Sequence, residues 1–156
     1  TVHIPLSKVA SSITAASVAK SLALIAEAGR RRYGKRAPIA VLALNPHAGE
    51  HGLMGSEDDG VIAEGMAALP SALGPFPADS FFIERYKSFK LILAMYHDQG
   101  LIPVKALYPR ASVNVTLGLP VVRTSVDHGS AYDIAGKGRA SADGLLHAIS
   151  AAIELT

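Results

Sequence analysis

The chain has 156 residues, 49% of them apolar, and a formal net charge of +2. That is enough for one domain with a real core, or for part of a larger one. The absence of Cys excludes disulfides, thiolate metal sites and Cys nucleophiles. No apolar run reaches the roughly 18 residues a membrane span needs. Thr1 leads into His3 and Pro5 with neither a basic n-region nor a long apolar h-region, so no signal peptide is expected. Together with the lack of Cys, this fits a cytoplasmic protein.

In chain order, Val18, Leu22 and Ile25 recur at helical spacing and predict a helix over Ala15 to Tyr33, capped by Thr14. The basic run Arg30-Arg31-Arg32, followed by Lys35-Arg36, falls where that helix ends. Cations are favoured there by the helix dipole, and no aromatic residues interleave, so it reads as a solvated helix end rather than a nucleic-acid patch. Pro38 introduces a buried strand, Ile39 to Leu44. Ser56 and Asp59 form a candidate capping box for a helix running to about Leu69. Pro70 to Pro77 reads as a loop, Asp79 to Tyr86 as a short helix, and Lys90 to Met95 as a strand. Ser112 to Leu117 alternates and is β-branched, and Val121 to Arg123 is a short extended piece. Leu145, Ile149 and Ala152, widened by Leu146 and Ile153, give a final helix its apolar face. Helices alternating with apolar strands make the class α/β, with no internal repeat, low-complexity segment or domain linker.

Three histidines each follow what reads as the carboxyl end of a strand: His3 in Thr1-Val2-His3, His47 in Leu44-Asn45-Pro46-His47, and His97 in Met95-Tyr96-His97. Strand ends line the ligand crevice in open α/β sheets, and three imidazoles meeting there would hold a divalent metal with positions open for substrate. Taken singly, a buried histidine is more often a hydrogen-bonded core residue than a ligand. His51 is a substitute ligand candidate, and His147 in the last helix reads as structural or exposed. Asp98 and Asp127 each adjoin a histidine and could orient it, or serve as turn carboxylates. Lys105, Asn114 and Arg123, on or just after successive extended pieces, form a candidate site for phosphate or carboxylate, although spacing alone favours ordinary surface cations. The segment Asp127 to Arg139 holds glycines that allow close backbone approach, and Asp133 there could accept a ribose hydroxyl or cap a turn. It is no G-x-G-x-x-G fingerprint, and no nucleophile elbow, P-loop or H-E-x-x-H occurs.

The stretches Leu44-Asn45-Pro46-His47-Ala48-Gly49-Glu50, Ala94-Met95-Tyr96-His97-Asp98-Gln99-Gly100, Val113 to Pro120 and Val122 to Gly129 closely resemble the 4-hydroxythreonine-4-phosphate dehydrogenase family of pyridoxal phosphate biosynthesis. The resemblance covers nearly the whole chain. It implies a metal site on His3, His47 and His97 (Zn, or Mg, Mn or Co), substrate binding by Lys105, Asn114 and Arg123, and His97 and Lys105 as the catalytic residues. The loop from His128 to Gly138 is similar to the cofactor loop of isopropylmalate and isocitrate dehydrogenases, which implies NAD, or NADP, at His128, Gly129 and Asp133. The implied fold is an isopropylmalate-dehydrogenase-like three-layer sandwich, in a two-domain homodimer with its active site in an interface cleft. Family members carry a further N-terminal stretch, so the chain looks like the carboxyl-terminal part of such an enzyme. His51 stands one place earlier than the family's usual histidine, where this sequence has Gly52-Leu53-Met54-Gly55.

The expected activity is therefore metal- and NAD-dependent oxidation, with decarboxylation, of 4-phosphooxy-L-threonine. The same chemistry on a phosphorylated four-carbon sugar acid or a dihydrodiol carboxylate is the near alternative; a non-catalytic metal- or phosphate-binding module is the distant one. Neither nucleic acid nor a membrane is an expected partner.

Overall fold

The computed structural model describes residues 1–34, 37–109 and 111–156. They fall into two compact units, Thr1–Pro103 and Val104–Thr156. Lys35 and Arg36, the tail of the basic run, lie outside the described residues.

The first unit is built around one strand. β1 (Ile39–Leu42) is buried at every residue. A strand covered on both faces reads as a continuous apolar run, which is how 39–42 appears in the sequence. Its alternate side chains enter two cores. Ile39 and Val41 pack with Val9, Ile13, Val18, Leu22 and Ile62, whereas Ala40 and Leu42 pack with Phe81. The first core is supplied by α1 (Val9–Ser12), α2 (Ala15–Tyr33) and α3 (Ala63–Met66); the second by α4 (Ala78–Phe81) and the Arg85–Ser88 turn, where Phe76, Phe82 and Phe89 add aromatic contacts. α2 has the predicted bounds. Thr14 Oγ1 accepts Ser17 N at 3.1 Å and Ser17 Oγ accepts Thr14 N at 3.0 Å, a reciprocal cap. At its end Arg30 and Arg31 both bond Glu27, consistent with a solvated helix terminus.

Three expectations are corrected here. The segment Pro70 to Pro77 contains β2 (Ala72–Phe76), parallel to β1, with Ile39 opposite Ala72 and Leu42 opposite Phe76. Proline is tolerated because β2 is an edge strand. The Gly74–Pro75 peptide is cis, and a Cβ on Gly74 would stand 2.5 Å from Val41 O, so the strand comes this close only with glycine there. The expected capping box at Ser56 and Asp59 does not form: the chain makes a π-helical turn over Asp58–Ile62 before α3, with no side-chain cap, and Asp58 instead turns inward. The helix expected over Asp79 to Tyr86 is two short turns, α4 and the 3-10 turn Arg85–Ser88.

β3 (Leu91–Leu93) pairs with the other side of β1, also parallel, giving the order β2-β1-β3. α5 (His97–Leu107) follows, carrying Pro103 in its interior. The boundary between the units falls at that proline.

In the second unit β4 (Val113–Thr116) and β5 (Arg123–Val126) form an antiparallel ribbon. The extended piece expected at Val121 to Arg123 thus begins only at Arg123. α6 (Asp143–Leu155) packs on the ribbon: Thr124 Oγ1 donates to Ala148 O at 2.8 Å, and Ala148 is buried. Leu145, Leu146, Ile149 and Ile153, expected to form the helix's apolar face, are exposed. Among the described residues no single helix is long and apolar enough to cross a membrane.

Candidate active site

Because β1 and β3 are parallel neighbours, their carboxyl ends open on the same edge of the sheet. The strand β1 leads through Ala43 and Leu44 to Asn45, then into the tight turn Pro46–Glu50. Asp58 is fully buried at the base of that turn. Its carboxylate accepts Leu44 N at 2.7 Å, Asn45 N at 3.0 Å and Asn45 Nδ2 at 3.0 Å. Asn45 Nδ2 also donates to Glu57 Oε2 at 2.9 Å, a bond that holds the Glu57 carboxyl below its ordinary range. Gly55 (φ 129) lies against the same amide, and a Cβ there would come 2.5 Å from Asn45 Nδ2. So anchored, the turn holds His47, Ala48, Glu50 and His51 at positive φ, a conformation that costs non-glycine residues energy and that clusters at functional sites. His47 is exposed at its crest.

On the β3 side, His97 opens α5. Its Nδ1 lies 2.7 Å from Asp98 Oδ1. A carboxylate accepts only, so in the neutral ring Nδ1 carries the proton and Nε2 presents the lone pair. Thr1 N and Oγ1 both donate to Met95 O, at 2.7 and 3.1 Å, and this brings His3 alongside: the His3 and His97 rings are 5.4 Å apart and inclined by 49°. His3 does not follow a strand, as the sequence led us to expect; residues 1–5 are irregular. Two of the three expected ligands are therefore together, and the third, His47, tops the neighbouring strand's turn. Among the described residues no group of three His, Asp or Glu side chains stands close enough to hold a metal. The His3–His97 pair nevertheless has the donor chemistry for a divalent ion: imidazole nitrogens, one ring oriented by a carboxylate. His51 points into solvent, 3.9 Å from Asp59 Oδ2, and His147 is exposed on α6.

In the second unit Asn114 pairs with Ser125 and Thr116 with Arg123, so Asn114 and Arg123 share one face of the ribbon. Arg123 Nη1 donates to Thr116 Oγ1 at 2.8 Å, which ties the guanidinium to that face. Lys105 is on α5, not after an extended piece, because residues 97–107 are helical despite Pro103. Its Nζ donates to Asp127 O at 3.1 Å and stands 3.5 Å from Asp127 Oδ2, while Ser112 Oγ donates to the same carboxylate at 2.8 Å. Asp127 thus positions Lys105 rather than a histidine.

The loop after β5 borders an open cavity of about 560 Å³. His128, Gly129, Gly136 and Gly138 line it together with Asp143 and Gly144 at the start of α6. His128 Nδ1 is 3.1 Å from Gly129 O. Asp133 is exposed on the 3-10 turn Tyr132–Ile134, and its carbonyl accepts Lys137 Nζ at 2.6 Å; it is not among the lining residues.

Residues 1–152 match the family model described as pyridoxal phosphate biosynthetic protein PdxA. The chain belongs to the PdxA family. It is 47% identical to 4-hydroxythreonine-4-phosphate dehydrogenase of Bacteroides thetaiotaomicron, over 99% of this chain and 44% of that protein, and 44% identical to that of Desulfosudis oleivorans, over 99% and 48%. Its fold is similar to the crystal structure of the Klebsiella pneumoniae enzyme, with a TM-score of 0.88 at 36% identity, covering 99% of this chain and 48% of that one. A terephthalate 1,2-cis-dihydrodiol dehydrogenase from Burkholderia xenovorans is also similar, with a TM-score of 0.75 at 32% identity, covering 99% and 50%. The chain spans about half the length of the relatives it matches.

Two site residues escape sequence reading. Among the described residues Asp58 and Gln99 are the buried polar side chains, and both bond backbone at the strand ends that carry His47 and His97. The only sequence signal was their place in or near the family stretches; nothing local marks a carboxylate or amide whose partners are distant backbone groups.

Proposed function

We propose that the full protein carrying this chain is a metal- and NAD-dependent dehydrogenase. It oxidises the secondary alcohol of 4-phosphooxy-L-threonine in pyridoxal phosphate biosynthesis, and the resulting β-keto acid loses carbon dioxide. The observation that carries this reading is the His3–His97 pair at the carboxyl end of β3, in a chain whose residues 1–152 match the PdxA family.

When bound, a divalent ion supplies Lewis-acid polarisation of the substrate oxygen, and NAD accepts the hydride. The residues that would hold the ion are His3, His47 and His97. Asp98, on Nδ1 of His97, fixes the tautomer that offers Nε2. Arg123, hydrogen-bonded to Thr116, and Asn114 on the same face offer a planar fork and an amide to the substrate phosphate. Lys105, held on Asp127, adds a point charge. Such anchoring of non-reacting groups orients the hydroxyl that reacts. His128 and Gly129 line the cavity suited to the cofactor's adenosine, and glycines there permit close backbone approach.

For the whole protein we adopt the isopropylmalate-dehydrogenase-like sandwich, a homodimer and a cytoplasmic location. The exposed Leu145, Ile149 and Ile153 of α6 support pairing, since apolar surface of this kind favours burial. The test is NADH formation from 4-phosphooxy-L-threonine by the full-length protein; normal turnover by His97→Ala would sink the mechanism. The likeness to the terephthalate dihydrodiol dehydrogenase favours a second reading, the same oxidation on a dihydrodiol carboxylate. A panel of that substrate, phosphorylated four-carbon sugar acids and 4-phosphooxy-L-threonine separates these. Metal binding without turnover of any would mark a non-catalytic module.

A further inference from the structure

The parallel ladder between β1 and β3 ends at the pair Val41–Leu93. Two residues further along each chain, the space between the strands is bridged by a side chain instead of backbone. Gln99 Oε1 accepts Met95 N at 2.7 Å, and Gln99 Nε2 donates to Ala43 O at 2.6 Å. The side chain is buried, so both bonds are shielded from water. Its amide stands between the strands as a peptide unit of an inserted strand would, and it holds their ends apart by the width of one amide.

Both chains run directly from this bridge into the histidine segments: Ala43 through Leu44, Asn45 and Pro46 to His47, and Met95 through Tyr96 to His97. Met95 is tied a second time, by Thr1, two residues before His3. One node, Ala43–Gln99–Met95, therefore connects all three segments. We propose that Gln99 is a positioning residue for the metal-binding histidines: it sets the separation of the His47 and His97 segments without touching metal or substrate. This rests on the reading of His3, His47 and His97 as ligands. Without the amide, Ala43 O and Met95 N lose their buried partners, and the strand ends close up or admit water. Either response changes the spacing on which three-ligand geometry depends.

The experiment is a calorimetric zinc titration of the metal-stripped full-length protein. It compares the parent with Gln99→Met (similar length, no hydrogen bonds), Gln99→Asn (same amide, shorter arm), His97→Ala and Ile62→Val, a buried apolar change that lowers stability in the same core while leaving both hydrogen bonds of the bridge in place. Far-UV circular dichroism and thermal unfolding accompany each. The expected result is a loss of at least about tenfold in zinc affinity for both Gln99 variants. Ile62→Val keeps the parent's affinity, and His97→Ala has none. Should Gln99→Met fail to fold, Gln99→Asn decides. Parent-like affinity in a folded Gln99 variant overturns the proposal and leaves the ligand reading intact. An equal loss in Ile62→Val also overturns it, because affinity would then follow stability. Parent-like affinity in His97→Ala, or no binding by the parent, overturns the ligand reading and the proposal with it.

Discussion

The His3 and His97 rings stand 5.4 Å apart, inclined by 49°, and Asp98 Oδ1 lies 2.7 Å from the His97 Nδ1. The first distance makes the rings neighbours; the second decides what one of them can do. With its Nδ1 proton engaged, His97 offers Nε2 as a ligand nitrogen in a fixed orientation. Replacing Asp98 by Asn should therefore lower zinc affinity about 10- to 100-fold, as loss of such carboxylate partners generally does, with unchanged far-UV circular dichroism. Calorimetry on the full-length protein checks it, and parent-like affinity would mean that the carboxylate plays no part.

Asp58 anchors the other histidine turn. It is fully buried and receives three N–H groups, from Leu44 and twice from Asn45. Asp58→Ala removes this acceptor from all three, and the expected cost is about 1–3 kcal/mol, the range for leaving a buried group unsatisfied, because the donors are only partly buried and the Asn45 amide keeps Glu57. Urea unfolding reads this as a lower midpoint at unchanged slope. Hydrogen exchange at the amides of residues 44 and 45 should accelerate beyond that of β1.

Leu22 has no exposed surface and packs against Ile39 and Val41. Leu22→Ala should destabilise by about 2–5 kcal/mol through lost burial and a residual cavity. Thr14→Ala, which removes one half of the α2 cap, should cost about 1 kcal/mol. The ranking, measured by denaturant unfolding, tests whether β1 and α2 form the structural centre of the first unit.

Glu27 accepts hydrogen bonds from Arg30 and Arg31, and these pull its pKa from 4.5 to about 2. A folded-state pKa below the unfolded one means that the contribution is present above about pH 4.5 and is lost as pH falls toward 2. The carboxylate is solvent-exposed, so the effect on stability is small and salt-screened. A carboxyl-detected NMR titration should give a Glu27 midpoint near 2, returning to the ordinary range in an Arg30→Ala, Arg31→Ala double variant. An ordinary midpoint in the parent would show that the fork does not persist in solution.

How much was legible followed from how local the cause was. The bounds of α2 could be read because Val18 and Leu22 follow helical spacing and Thr14 caps only residues within one turn. The strand β1 stood out because both of its faces are buried. By contrast, β2 was hidden: Gly74 and Pro75 read as a loop, and only pairing with β1 makes a strand of them. Similarly, Pro103 masked α5 and misplaced Lys105. At the site, His47 and His97 could be located by the apolar runs before them, but the devices that hold them could not. Gln99 reaches Ala43 across the sheet, and Asp58 reaches back to Leu44.

The most direct test of the central claim is NADH formation by the metal-stripped full-length protein, with and without added zinc, on 4-phosphooxy-L-threonine, alongside His97→Ala. The expected result is turnover that requires added metal and disappears in the folded variant. Turnover that is independent of metal, or undiminished in His97→Ala, would contradict it.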